Sequence, residues 1–146
     1  MAHIWTRILS VYGPHDGPST MISGTIHKLL HGEKPALTAG IQQWDYLYAG
    51  DAADAFYALA VNGQDGKVYP LGSGVARPLR DYIEALRNTI DPALPLGLGE
   101  IPYSPLQVMH LQADTSALQA DTGWYAATTF EEGIRKTIEW ARKETK

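Results

Sequence analysis

His27 and His31 stand four residues apart in "GTIHKLLHG", the spacing at which two imidazoles share a helix face and can ligate one metal. No third ligand lies near them in the sequence, and both flank apolar positions, so ordinary helix residues are the competing reading. His15 and Asp16 form an adjacent acid–base pair, but neighbours on a loop rarely turn toward one point, which favours two solvated side chains. His110 in "VMHLQAD" is open between a buried strand position and one that reaches a ligand. "LGSGVARPL", residues 71–79, follows a strand and precedes a helix, yet lacks the third glycine of a dinucleotide turn. A plain strand-to-helix turn is the better reading. No serine sits in a nucleophile-elbow context and no phosphate loop is present. Asp51 and Asp54 are explained by capping and by the field at a helix N-terminus. The chain carries no catalytic set and no metal set of its own.

The elements that would position these residues can be read from periodicity. Residues 2–11 favour Ile, Trp, Thr, Leu and Val and predict a strand, broken by the loop "GPHDGPST". Ser19 or Thr20 caps a helix with Met21, Ile22, Thr25, Ile26, Leu29 and Leu30 on one face, stopped by Gly32 and Pro35. Two extended pieces follow, "PALTAG" and "WDYLYAG". Asp51 is a credible N-cap for "AADAFYALA", with Asn62-Gly63 as its stop. "GKVYPLG" predicts another strand, and Pro78 the first turn of a helix bearing Leu79, Tyr82, Ile83, Leu86 and Ile90. A Pro- and Gly-rich stretch, 91–105, precedes an expected strand around "LQVMHL". Thr128 and Glu131 make a capping-box pattern before a helix with Phe130, Ile134, Ile138 and Ala141 on one stripe.

These elements give an α/β chain read as a single domain over residues 1–146. Helices separate its roughly four strands, which favours parallel pairing. So small a sheet, needing cover on both faces, suggests part of something larger. The hydrophobic fraction of 45% and charged fraction of 19% indicate a globular chain rather than a disordered one. A net charge of −4 gives no reason to expect a nucleic-acid partner. No apolar run approaches a membrane span, and the N-terminus has no signal-peptide pattern. With no cysteine, disulfides and thiolate metal sites are excluded, which suits a cytoplasmic protein. Eight tyrosines and four tryptophans against two phenylalanines suit half-buried clefts as well as ordinary packing.

Taken in order, five stretches resemble one family: "RILSVYGP", "QQWDYLYAGDAADAFYAL", "YPLGSGVARPLRDYIEAL", "PYSPLQVMHLQAD" and "DTGWYAATTFEEGIRKTIEW". Together they look like the C-terminal, substrate-binding half of an extended short-chain dehydrogenase/reductase. These are the NAD-dependent epimerases and dehydratases of nucleotide sugars. The resemblance implies a small mixed α/β substrate-binding domain lacking most of the N-terminal Rossmann domain. The family's Gly-rich turn and catalytic Tyr-x-x-x-Lys come before its "R-x-x-N-V-Y-G-P" strand, so no residue here is expected to be catalytic. The intact family enzyme uses NAD or NADP in isomerase, lyase or oxidoreductase chemistry. This chain alone is expected to bind no cofactor and to show no turnover.

By the same resemblance, Ser10, Leu37, Trp44, Tyr103, Ser104 and Gln107 are the expected substrate-binding residues, and Val11 and Tyr12 lie near the nicotinamide. Ser10 takes the place of an asparagine that contacts phosphate. Trp44 stands where the family's "R-D-F/Y-x-Y-V-D-D" motif has arginine, with Asp45, Tyr46, Tyr48 and Asp51 kept. Ser104 and Gln107 stand at the Arg and Asp of "R-P-G-D", with Pro105 and Ala113-Asp114 retained. Two guanidinium groups that would clamp a diphosphate are therefore missing. Trp44 is either a stacking surface for a base or sugar, or an ordinary core aromatic. The expected partners are a nucleotide sugar or related sugar, a Rossmann-domain chain, or further copies of this one. The alternative is a non-catalytic sugar-nucleotide module, or a regulatory or oligomerising remnant.

Overall fold

The computed structural model describes residues 1–145. The first extended run is two strands: β1, Trp5–Ile8, and β2, Ser10–Tyr12. The chain changes partner between them, because Leu9 still donates to the Leu71 carbonyl (3.0 Å) while Ser10 begins a ladder elsewhere. α1, Met21–Leu30, starts at Thr20, whose hydroxyl accepts from the Ser23 amide. It ends as the glycine predicts: Gly32 has φ +73°, its amide donates to Leu29 and that of Glu33 to Lys28. That paired closure satisfies the last carbonyls of the helix.

β3, Gln43–Trp44, and β4, Tyr46–Tyr48, lead into α2, Ala49–Asn62. The N-cap of α2 is Tyr48, so the expectation for Asp51 is corrected: it lies inside the first turn and its carboxylate bonds elsewhere. β5, Val68–Leu71, and β6, Arg77–Pro78, precede α3, Leu79–Ile90, for which Pro78 is the cap rather than the first helical residue. The expected strand at 106–111 is not formed. His110 makes a single bridge to Gln43 of β3, and most of the stretch is exposed. A short helix, α4, Ser116–Thr122, was not anticipated, although Gly123 at φ +71° is an ordinary helix stop. α5, Phe130–Glu144, is capped by Thr129, not Thr128, because the Thr128 hydroxyl is occupied by Asp51.

β1 pairs with β5 and β2 with β4, both parallel as expected, while β3 and β6 pair antiparallel. Among the described residues each ladder has two strands, six strands in place of about four. Alternation along β4 separates two cores. Leu47 faces one built from Ala52, Ala55, Leu59, Tyr69, Leu71, Leu118 and Trp124. Tyr46 and Tyr48 face the other, where α1, α3 and α5 bring together Ile22, Ile26, Ile83, Leu86, Ile134 and Ile138 around Tyr12. Each such aliphatic side chain contributes about 1.5–3 kcal/mol by leaving water. Gly133 lets α5 sit down on β2 and β4, since a β-carbon there would strike the Tyr12 hydroxyl and come 2.9 Å from the Tyr48 ring. Among the described residues no helix is long and apolar enough to cross a membrane.

Candidate functional site

Two cavities meet at Trp44, Tyr46 and Met21. The larger, about 460 Å³, lies between the Met21, Gly24, Thr25 and Lys28 face of α1 and a wall of Leu37, Gln42, Trp44, Ile101 and Gln107. That volume lies within the usual range for small-molecule pockets. The smaller, about 280 Å³, is bordered by Ser10, Val11, Tyr12, Asp16, Thr20 and Trp44. Trp44 is the shared wall, and its position is fixed: the indole Nε1–H donates to Ser10 Oγ at 2.8 Å. Ser10 Oγ accepts that bond, so its own proton is left to donate.

Of the expected substrate residues, Leu37, Trp44 and Gln107 border the larger cavity and Ser10 and Trp44 the smaller. Tyr103 and Ser104 border neither. The Tyr103 hydroxyl donates to Gln42 Oε1 (2.8 Å) and accepts from the Ile41 amide (2.9 Å), which pins the 101–107 segment to β3. Ser104 closes the following turn, accepting from the amides of Leu106 and Gln107. Gln107 donates its amide to the Val108 carbonyl at 3.0 Å. Val11 packs on the core beneath α2. Tyr12 is 2% exposed and donates its hydroxyl to the Phe130 carbonyl (3.3 Å), so its side chain is committed to the core.

Burial pushes the Tyr12 and Tyr46 phenols well above the ordinary tyrosine range, with Asp51 as a further cause at Tyr12 and Tyr82 at Tyr46. Both therefore stay protonated near neutral pH. They can shape the cavity and hydrogen-bond, but cannot act as general bases there.

The Gly-rich turn resolves differently. Asp45, fully buried, accepts from the Ser73 amide (2.8 Å) and hydroxyl (2.6 Å) and from the Gly74 and Ala113 amides (3.0 Å each). A β-carbon on Gly72 would lie 2.8 Å from Asp45 Oδ2 and 2.6 Å from the Ala113 β-carbon. Gly72 is thus required for packing against a carboxylate. Two of the turn's amides, at Ser73 and Gly74, are already taken by Asp45. A dinucleotide pyrophosphate does not fit this turn. Asp45 is the site-building residue that residue chemistry alone missed, because its partners lie 28 to 68 positions away.

The histidines separate. His15, at φ +66°, packs against Trp140 with ring centres 4.8 Å apart and the planes tilted by 51°. His31 shares its Nδ1 with the His27 carbonyl at 2.7 Å, and the two rings lie 4.2 Å apart. His110 is exposed, 3.4 Å from Gln112 Oε1. Among the described residues no three side chains are grouped to hold a metal ion.

The model of the NAD dependent epimerase/dehydratase family matches residues 1–72. Over 144 residues the chain is 29% identical to the dTDP-D-glucose 4,6-dehydratase of Mus musculus, covering 94% of this chain and 40% of that protein. A dTDP-glucose 4,6-dehydratase of Bacillus anthracis, solved in complex with NAD, superposes with a TM-score of 0.85 at 22% identity, over 96% of this chain and 44% of that one. The UDP-N-acetylglucosamine 4-epimerase of Methanobrevibacter ruminantium, solved with UDP-N-acetylmuramic acid, superposes at 0.88 with 21% identity, over 99% and 47%. Those two likenesses show a shared fold, and the chain spans less than half the length of each relative. These matches make the chain a partial homologue of the NAD-dependent epimerase/dehydratase family.

Proposed function

We propose that residues 1–146 correspond to the C-terminal, substrate-binding part of a nucleotide-sugar epimerase or dehydratase, and that the cavity around Trp44 holds the sugar ligand. One observation carries this reading: the cavity wall is a tryptophan ring locked by Ser10, with Leu37 and Gln107 on the same lining. An aromatic wall offers a stacking face, and hydroxyl and amide groups at its rim set orientation. The protein solved with UDP-N-acetylmuramic acid supports the ligand class. On this reading hydride transfer needs a second polypeptide region that brings NAD or NADP and the proton-transferring tyrosine. The chain by itself binds and does not turn over.

Calorimetric titration with UDP-glucose and dTDP-glucose tests the reading. Saturable binding that weakens at least tenfold in Trp44→Ala supports it. Absence of heat at millimolar ligand, or NAD-dependent turnover by the purified chain, overturns it.

A second reading, association through an exposed apolar surface, is favoured by the β1–β5 ladder and α2. Trp5 is 61% exposed and Ile8 52%, and Tyr57 and Val61 stand one turn apart on α2, both exposed. A Rossmann-domain partner or a second copy of the chain would cover that surface.

A further inference from the structure

Gln42, immediately before β3, is 4% exposed and borders the larger cavity. The two ends of its side-chain amide are used differently. Tyr103 Oη accepts from the Ile41 amide at 2.9 Å, so its own proton needs an acceptor, and it takes Gln42 Oε1 at 2.8 Å. That pairing turns the other end, Nε2, away from Tyr103. Nε2 donates to no other described residue, whereas buried polar groups are as a rule hydrogen-bonded. Among the described residues every fully enclosed side-chain nitrogen and oxygen has a partner, so Nε2 is not sealed within protein. The open space that Gln42 borders is the cavity. A buried amide donor is therefore held toward that space, with its orientation set by a tyrosine on another segment. On the α1 side of the same cavity, the buried Thr25 hydroxyl meets only the Met21 thioether at 3.7 Å, a weak acceptor. Both buried polar groups are uncharged.

We propose that Gln42 is a specificity-determining residue of this cavity, its Nε2–H donating to an uncharged oxygen of the ligand, and that Tyr103 is its positioning residue. The inference rests on the substrate-binding reading above and narrows it to one hydrogen bond. The acceptor is a carbonyl or a hydroxyl oxygen. A neutral amide beside Leu37, Ile83 and Ile101 has no charge with which to offset the desolvation of a phosphate. Tyr103 acts only through Gln42. Without its hydroxyl the amide is free to turn over and present Oε1, an acceptor, to the same ligand oxygen. A donor held in place beforehand binds its acceptor without the cost of ordering a side chain. A ligand lacking that oxygen leaves the buried amide unpaired, which is how a polar site rejects an analogue.

The test is titration of UDP-glucose and of UDP into the wild-type chain, Gln42→Met, Tyr103→Phe and the double variant. Gln42→Met removes the donor without adding charge and should weaken UDP-glucose about tenfold. Tyr103→Phe should weaken it by less. Adding Tyr103→Phe to Gln42→Met should cost no further affinity, a non-additivity that two independent structural defects would not give. In the wild-type chain, the Gln42 side-chain amide resonances, assigned through their bonds to the Gln42 backbone, should shift as UDP-glucose saturates the site. That readout does not depend on the stability of any variant. A loss shared by UDP and UDP-glucose places the acceptor on the nucleotide, and a loss confined to UDP-glucose places it on the hexose. Binding in Gln42→Met within twofold of wild type, or amide resonances that stay in place at saturation, overturns the assignment of Gln42 alone. A wild-type chain that binds neither ligand overturns the substrate-binding reading, and this inference with it.

Discussion

The two cores differ in how they are closed. The one under α1, α3 and α5 is covered by helices and filled by an aromatic cluster: Tyr46 meets Tyr82 edge-on at 5.1 Å, and Tyr82 meets Phe130 at 4.7 Å. Arg77 lies over the Tyr82 ring at 4.7 Å and pairs with Glu131 at 3.0 Å, closing one side. The other core, under α2 and α4, is completed by the β1–β5 ladder, whose far edge and outer face carry Trp5, Ile8 and Val68 into solvent. A parallel pair buries only one edge of each strand. The proposed ligand cavity lies on the closed side, and the exposed apolar surface on the open side. The proposed binding and the proposed association thus fall on different halves of one fold.

Phe130→Ala should break the closed side most severely. Removing a ring in contact with Tyr12, Tyr46 and Tyr82 is expected to destabilise the chain by about 3–5 kcal/mol, read by urea denaturation. A loss below about 1 kcal/mol would mean that the cluster is not a packed core.

Asp45→Asn acts where the two cores join. Its new amide hydrogens would face amides that now donate to it, so about 2–3 kcal/mol of stability should be lost. Amide hydrogen exchange should rise at Ser73, Gly74 and Ala113 together. Exchange confined to one of the three would show that Asp45 does not couple them.

A smaller effect belongs to the open side. The Lys67 ammonium and the Tyr69 hydroxyl, at 2.5 and 2.6 Å, hold the Asp121 carboxyl below the usual aspartate range. With the folded value depressed, the stabilisation is fully present above the unfolded value, about 3.9, and is lost as pH falls through the folded one. Melting temperatures of wild type and Asp121→Asn should therefore differ at pH 7 and converge toward pH 2. A gap that persists at pH 2 would assign the difference to packing rather than charge.

The smallest stability change is expected from Trp5→Ser, within about 0.5 kcal/mol, because the ring lies in solvent against His3. Its effect should appear in sedimentation velocity, where association of the wild-type chain falls. A wild-type chain that stays monomeric at every concentration would remove the distinction between the two sides.

What the sequence determined by itself was local. The apolar stripes of α1, α3 and α5, a cap at Ser19 or Thr20 and the Gly32 stop follow from contacts within one or two turns, so neighbouring residues suffice to encode them. The order of five weak motifs was legible for the same reason, and it pointed to the family. Tertiary structure decided what depends on distant partners. Asp51 looks like a cap until Thr128, 77 residues on, takes both carboxylate oxygens and moves the start of α5 by one residue. "LGSG" reads as a plain strand-to-helix turn, but only the fold shows that Asp45 occupies two of its amides. Tyr103 looks like a ligand contact until Gln42 and Ile41 claim its hydroxyl. Each of these polar groups has one best partner, and only the folded chain chooses it, because burial leaves no water to take that partner's place.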